Sequence, residues 1–127
     1  MKGFIDRVNY IDNMLASIDG KRYSELTEKQ IQFLKGKDEL HLPLFSTCTI
    51  ELYSYFTKEE IEFCFYDLDL ELGDFDAVAF RIFKKEQIEL VFDGETTINE
   101  ELLDTLPDCP EYHVKRPNVD KIKKAIY

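Results

Sequence analysis

The apolar residues of this chain change their period partway along it, and that change limits the folds open to it. Over residues 4–18, Phe4, Val8, Ile11, Leu15 and Ile18 recur at spacings of three and four, which lines them along one face of a helix. From residue 46 the spacing falls to two. Over 46–56 (STCTIELYSYF), Cys48, Ile50, Leu52 and Phe56 occupy one side and Thr47, Thr49, Glu51, Tyr53 and Tyr55 the other, as in a half-buried strand. Helices followed by strands define an α+β class. The 127 residues suit a single domain, 1–127, with one core.

The boundaries can be read in turn. Gly20 stops the first helix, and a second opens at Thr27, where Thr27 and Gln30 form a capping box and Leu26 with Ile31 a hydrophobic staple, before Gly36 ends it. Pro43 breaks the pattern, leaving His41 in a linker. After the strand at 46–56, the polar run Thr57-Lys58-Glu59-Glu60 turns the chain into a second strand near 60–72. Its rhythm carries a fault: Ile61, Phe63 and Phe65 are odd, whereas Leu68, Leu70 and Leu72 are even. A β-bulge near Phe65-Tyr66 repairs the phase by inserting one residue. The same stretch also fits a helix, since Thr57 with Glu60 makes a capping box and Ile61, Phe65, Leu68 and Leu72 keep helical spacing. Alternation and aromatic content favour the strand.

Beyond a turn at Gly73-Asp74-Phe75-Asp76, Val78, Phe80 and Ile82 alternate with Ala77, Ala79 and Arg81 in a third strand, and Ile88, Leu90 and Phe92 mark a fourth. Thr97 with Glu100 caps a short helix bearing Leu102, Leu103 and Leu106, stopped by the loop PDCP. A last helix near 118–127 presents Val119, Ile122 and Ile126. The predicted architecture is two N-terminal helices, a four-stranded antiparallel meander and two short C-terminal helices.

Charge is distributed as unevenly as the periodicity. Residues 46–111 hold 18 acidic and 4 basic side chains, residues 1–45 hold 7 of each, and residues 112–127 hold five basic and one acidic, so that the total is −10. With the bulge in place, Glu60, Glu62, Asp67, Asp69 and Glu71 share one strand face beside Glu51, Tyr53 and Tyr55, with Tyr66 among them and Asp74 and Asp76 in the adjoining turn. Such a surface repels phosphate and attracts cationic partners. Two bland readings stand beside it: a solvated face that keeps the protein soluble, and compensation by the basic tail of Lys115, Arg116, Lys121, Lys123 and Lys124.

Specific chemistries find little support. Reading 67–78 as a calcium loop puts Leu72 where glycine is needed and Val78 where a glutamate is needed. Same-face residues on a strand stand about 7 Å apart, so Asp67, Asp69 and Glu71 do not converge on one metal ion. His41 and His113 have no neighbouring serine or cysteine in a triad-like arrangement, and no cofactor or metal is expected. Cys48, Cys64 and Cys109 are odd in number and form no CxxC pair, which favours reduced thiols and the cytoplasm. No apolar run is long enough to span a membrane, and the N-terminus lacks the apolar core of a signal peptide.

The expectation is therefore a small acidic cytoplasmic protein that occludes a basic protein surface. Its partner would be a toxin or a nucleic-acid-binding protein, with no direct nucleic-acid or membrane contact. Immunity proteins for nuclease-like toxins and anti-defence nucleic-acid mimics are of this type. The partner-binding residues are then Glu51, Tyr53, Tyr55, Glu60, Glu62, Asp67, Asp69, Glu71, Asp74 and Asp76. The alternatives are a metal-dependent hydrolase using the strand carboxylates and a structural subunit joined to a larger assembly through its apolar helix stripe.

Overall fold

Helix α1 (Phe4–Ile18) forms as its spacing predicts, with Phe4, Val8, Ile11, Met14, Leu15 and Ile18 all buried. The computed structural model describes residues 2–35, 39–43, 48–84, 92–93, 97–98 and 111–127. Gly20, at φ 78°, takes the left-handed conformation that lets the chain reverse after α1. Its N–H donates to Tyr112 O at 2.8 Å, and Tyr112 N–H donates to Lys21 O at 2.7 Å, so the end of α1 is tied to a segment ninety residues away by sequence. A short 3₁₀ turn, Tyr23–Glu25, leads to α2 (Glu28–Lys35). The predicted capping box is present: Thr27 N–H donates to Gln30 Oε1 at 2.7 Å and Gln30 N–H to Thr27 Oγ1 at 3.3 Å. Gln30 is buried and also donates to Ser17 O, which docks α2 on α1.

Strands β1 (Glu39–Pro43), β2 (Cys48–Ser54), β3 (Val78–Lys84) and β6 (His113–Lys115) form one antiparallel sheet in the order β1-β2-β3-β6. Two further short strands, β4 (Phe92–Asp93) and β5 (Thr97–Ile98), pair with each other. Register places Glu51 opposite both His41 and Arg81, and Leu52 opposite Phe80. Ala77, Ala79 and Arg81 are buried, whereas Ile82 is exposed. The face of β3 that meets the core thus carries small residues and one arginine. The Arg81 guanidinium lies over the Tyr112 ring at 4.3 Å and nearer the edge of reach of Tyr23 at 5.9 Å, a cation–π arrangement that favours a charge held in the interior.

The class is mixed α+β, but the predicted four-stranded meander is corrected. Residues 60–72 are not a strand: the chain runs through α3 (Lys58–Glu62), a π turn (Phe63–Asp67) and α4 (Leu72–Phe75). The capping box decides this. Thr57 N–H donates to Glu60 Oε1 at 2.8 Å and Glu60 N–H to Thr57 Oγ1 at 3.2 Å, and Arg7 Nε reaches both Glu60 oxygens at 3.0 and 2.8 Å while its Nη2 donates to Tyr55 O at 2.8 Å. A strand from residue 60 would break the two capping-box bonds.

The phase fault is resolved within the helix instead of by a β-bulge. Leu68 N–H donates to Phe63 O and Leu70 N–H to Cys64 O, so the turn carries the one extra residue that a sheet bulge would have carried. It closes through Asp69 at φ 52°, the one non-glycine residue with positive φ among those described.

Other elements fall as follows. The linker assigned to His41 is strand β1, and His113 opens strand β6. The fourth predicted strand (88–92) lies outside the described residues apart from Phe92, and Thr97–Ile98 is strand where a helix was expected, the rest of that helix lying outside them. The last helix, α5 (Val119–Ile126), agrees with expectation and is capped by Asn118, whose Oδ1 accepts from Lys121 N–H.

Two outcomes test these assignments. Replacing Glu60 with alanine removes the α3 cap and leaves a largely enclosed guanidinium without its counter-charge, and urea titration should show a loss of about 2–4 kcal/mol. At Asp69, glycine should hold or raise stability by up to about 1 kcal/mol, whereas valine should cost about 1–2 kcal/mol, because a β-branched residue resists positive φ.

Candidate functional site

The acids of 58–76 divide into two sets according to what the rest of the chain does to them. The first set is engaged. Glu60 is 5% exposed and held by Arg7. Asp74 Oδ2 accepts from Lys121 Nζ at 2.9 Å and from Glu71 N–H at 3.0 Å. Lys115 Nζ donates to Gly73 O at 2.9 Å and to Asp76 O at 3.4 Å. Farther off, Arg116 grips Asp12 through two bonds of 2.7 and 2.8 Å. The basic tail therefore folds onto α4 and α1, as the compensation reading expects.

The second set is left to solvent. Glu59, Glu62, Asp67 and Asp69 are exposed and make no ion pair among the described residues. Glu71, also exposed, contributes to the field that raises the Lys121 pKa. Within this set stands Tyr66, 83% exposed, flanked by Phe65 at 40% and with Leu72 at 54% on the far side of the turn. Phe65 is anchored edge-on to the buried Phe75 ring at 5.0 Å, so its exposed edge is presented by a fixed support. Among the described residues the Tyr66 ring meets no other aromatic ring.

This arrangement redistributes the residues expected at the site. Glu62, Asp67, Asp69 and Glu71 are all exposed along the segment that runs from α3 through the π turn to the start of α4. Glu60 is an internal strut and Asp74 a cap and ion-pair partner. Tyr55 is buried, stacked on Phe33 at 4.4 Å with the rings 2° from parallel; β2 ends at Ser54, so the alternation that pointed Tyr55 outward no longer applies to it. Glu51 and Tyr53 lie in β2, at the register positions opposite Arg81 and Ala79, outside that segment. Phe65 and Leu72 were assigned inward by alternation. The helical stripe of Ile61, Phe65, Leu68 and Leu72 placed them inward as well; the π turn at Phe63–Asp67 breaks that spacing, and both are exposed.

Other chemistry is sparse along this segment. No group of three or more His, Cys, Asp or Glu among the described residues is placed to hold a metal ion. Cys64 is a free, buried thiol whose pKa is pushed up to about 11, first by burial and then by the Glu60 charge, which makes it a poor nucleophile. The apolar stripe of α1, from Phe4 to Ile18, is enclosed in the protein's own core. No described helix is long and apolar enough to cross a membrane.

The Asp74–Lys121 pair gives a pH-dependent readout. The hydrogen bond from Lys121, followed by that from the Glu71 N–H, holds the Asp74 carboxyl below the usual carboxylate range. The folded state thus binds this proton less well than the unfolded state. The resulting stabilisation is present above the ordinary carboxylate pKa and is lost as pH falls through the folded value. Lys121 mirrors it: the hydrogen bond to Asp74 raises its pKa, so its contribution holds below the ordinary lysine value and is lost as pH rises through the folded one. Asn at position 74 retains the acceptor oxygen but not the charge. The stability gap between wild type and Asp74→Asn should be widest near neutrality and close as pH falls below the ordinary carboxylate range. A gap in urea unfolding that did not narrow as the carboxylates were protonated would place its origin elsewhere.

Compared with protein-family models, curated proteins and solved structures, the chain matches none.

Proposed function

We propose that the protein is a stoichiometric binding protein that occludes a basic surface on another protein, in the manner of an immunity or inhibitor protein for a nuclease-like toxin or of a nucleic-acid mimic. The observation that carries this reading is the sorting of charge. Among the described residues the chain's own cations reach Glu60, Asp74 and Asp12, and Glu59, Glu62, Asp67 and Asp69, in the same segment as the exposed Tyr66, make no ion pair. A carboxylate set of this kind raises the rate of encounter with a cationic patch and excludes like-charged competitors. Exposed aromatic area next to it supplies contact that does not depend on charge. The free, buried Cys64 thiol supports action in a reducing compartment, the cytoplasm.

The test is a capture experiment at low and moderate salt from the native cell extract, with Glu62→Gln/Asp67→Asn/Asp69→Asn as the control. All three positions are exposed, and asparagine tolerates the left-handed conformation at 69, so the triple variant should unfold at the wild-type midpoint. Wild type should retain one basic protein in stoichiometric amount, releasing it as ionic strength rises, and the variant should retain little of it. Equal retention by both proteins, or retention of no basic protein by either, would refute the proposal.

A further inference from the structure

The acidic segment has a feature that charge alone does not require, namely the bare ring of Tyr66. Glu62 precedes it by one helical turn and Asp67 follows it directly, both exposed and without ion pairs among the described residues. We infer that this surface is selective for arginine over lysine: its occupant is a basic protein surface that lays a guanidinium on the Tyr66 ring with Glu62 and Asp67 as flanking acceptors. The inference rests on the function proposed above and specifies the chemistry of the partner.

The physical ground is that guanidinium and ammonium groups use such a surface differently. A planar guanidinium stacks on an aromatic face and still offers donors in its plane to carboxylates, whereas a lysine ammonium is a strongly hydrated point charge. The protein's own ion pairs show the contrast. Arg116 meets Asp12 through two donors, Nε and Nη2, and Arg7 divides its donors between the Glu60 carboxylate and the Tyr55 carbonyl, while Lys121 meets Asp74 through one bond. Arg81 is the cation placed over a tyrosine ring, that of Tyr112. An exposed tyrosine one helical turn after Glu62 and next to Asp67, neither in an ion pair among the described residues, offers a partner's arginine both kinds of contact at once. Phe65, the preceding residue and also exposed, adds apolar surface on which the guanidinium stem can lie.

The test uses the full-length ¹⁵N-labelled protein and two synthetic peptides of equal length and charge, one alternating arginine with alanine and the other lysine with alanine. Titration followed by NMR should place the shifts of both peptides at residues 59–72. The arginine peptide should bind about threefold more tightly. In Tyr66→Ala, which truncates an exposed side chain, that preference should disappear while the affinity for the lysine peptide is retained. Equal affinities in the wild type, or a preference that survives Tyr66→Ala, would overturn the arginine selectivity and leave the basic-partner reading standing. Shifts from neither peptide at 59–72 would overturn both.

Discussion

The bond network around Glu60 is the constraint from which the exposed acidic segment follows. One carboxylate caps α3, accepts the Arg7 Nε–H between its two oxygens and so joins α1 to the segment that leaves β2. Arg7 in turn holds the Tyr55 carbonyl, which fixes where the strand ends and the helix begins. A nearly buried carboxylate is tolerable only with such complete pairing, because an unpaired one would shed its charge or unfold its surroundings. Once Glu60 points inward, Cys64 one turn later is carried into the core, and Glu59, Glu62 and Tyr66 are carried outward. The exposed set is thus a geometric consequence of the buried pair.

Helical parts of the fold were legible because their signals are local. The stripe of α1, the capping box of α2 and the Asn118 cap of α5 all lie within a few residues of the structure they specify. Strands β2 and β3 were legible from alternation. What sequence reading missed depended on distant partners. Residues 60–72 satisfied two local patterns at once, and the vote between them was cast by Arg7, 53 positions away. Strand β1 was hidden by Pro43, taken as a breaker; β1 lies at the edge of the sheet and Pro43 at its end, where a missing N–H costs no ladder bond. Strand β6 has three residues, too few for alternation to register.

For the site, the sequence located the acid correctly along the chain but assigned it to a strand face. Localisation of charge is a property of composition and survives an error in secondary structure. Which carboxylates remain free is a property of tertiary contacts, and so the separation of Glu60 and Asp74 from Glu62, Asp67 and Asp69 had no local signature. The basic tail shows the same limit. Its charge was evident, but its reach to Gly73 O, Asp74 and Asp12 depends on how α5 packs against α1 and α4.

Three departures from local preference coincide at one place. The helix widens into a π turn at Phe63–Asp67, an aspartate takes positive φ at 69, and a tyrosine next to them is 83% exposed. Each carries a cost: a π turn has poorer hydrogen-bond geometry than an α turn, an L-residue at positive φ is disfavoured, and a bare aromatic ring orders water. An uninterrupted α-helix ending in glycine would have avoided the first two, and a polar residue at 66 the third. Local rules are broken in folded proteins mainly where a surface has a task. The same five residues that widen the turn also break the apolar phase, so that Phe65 and Tyr66 cannot both return to the core while Leu68 and Leu70 pack on it. The widened turn therefore does two things with one inserted residue: it keeps the leucines of 68–70 in register with the core, and it turns an aromatic pair outward into the acid.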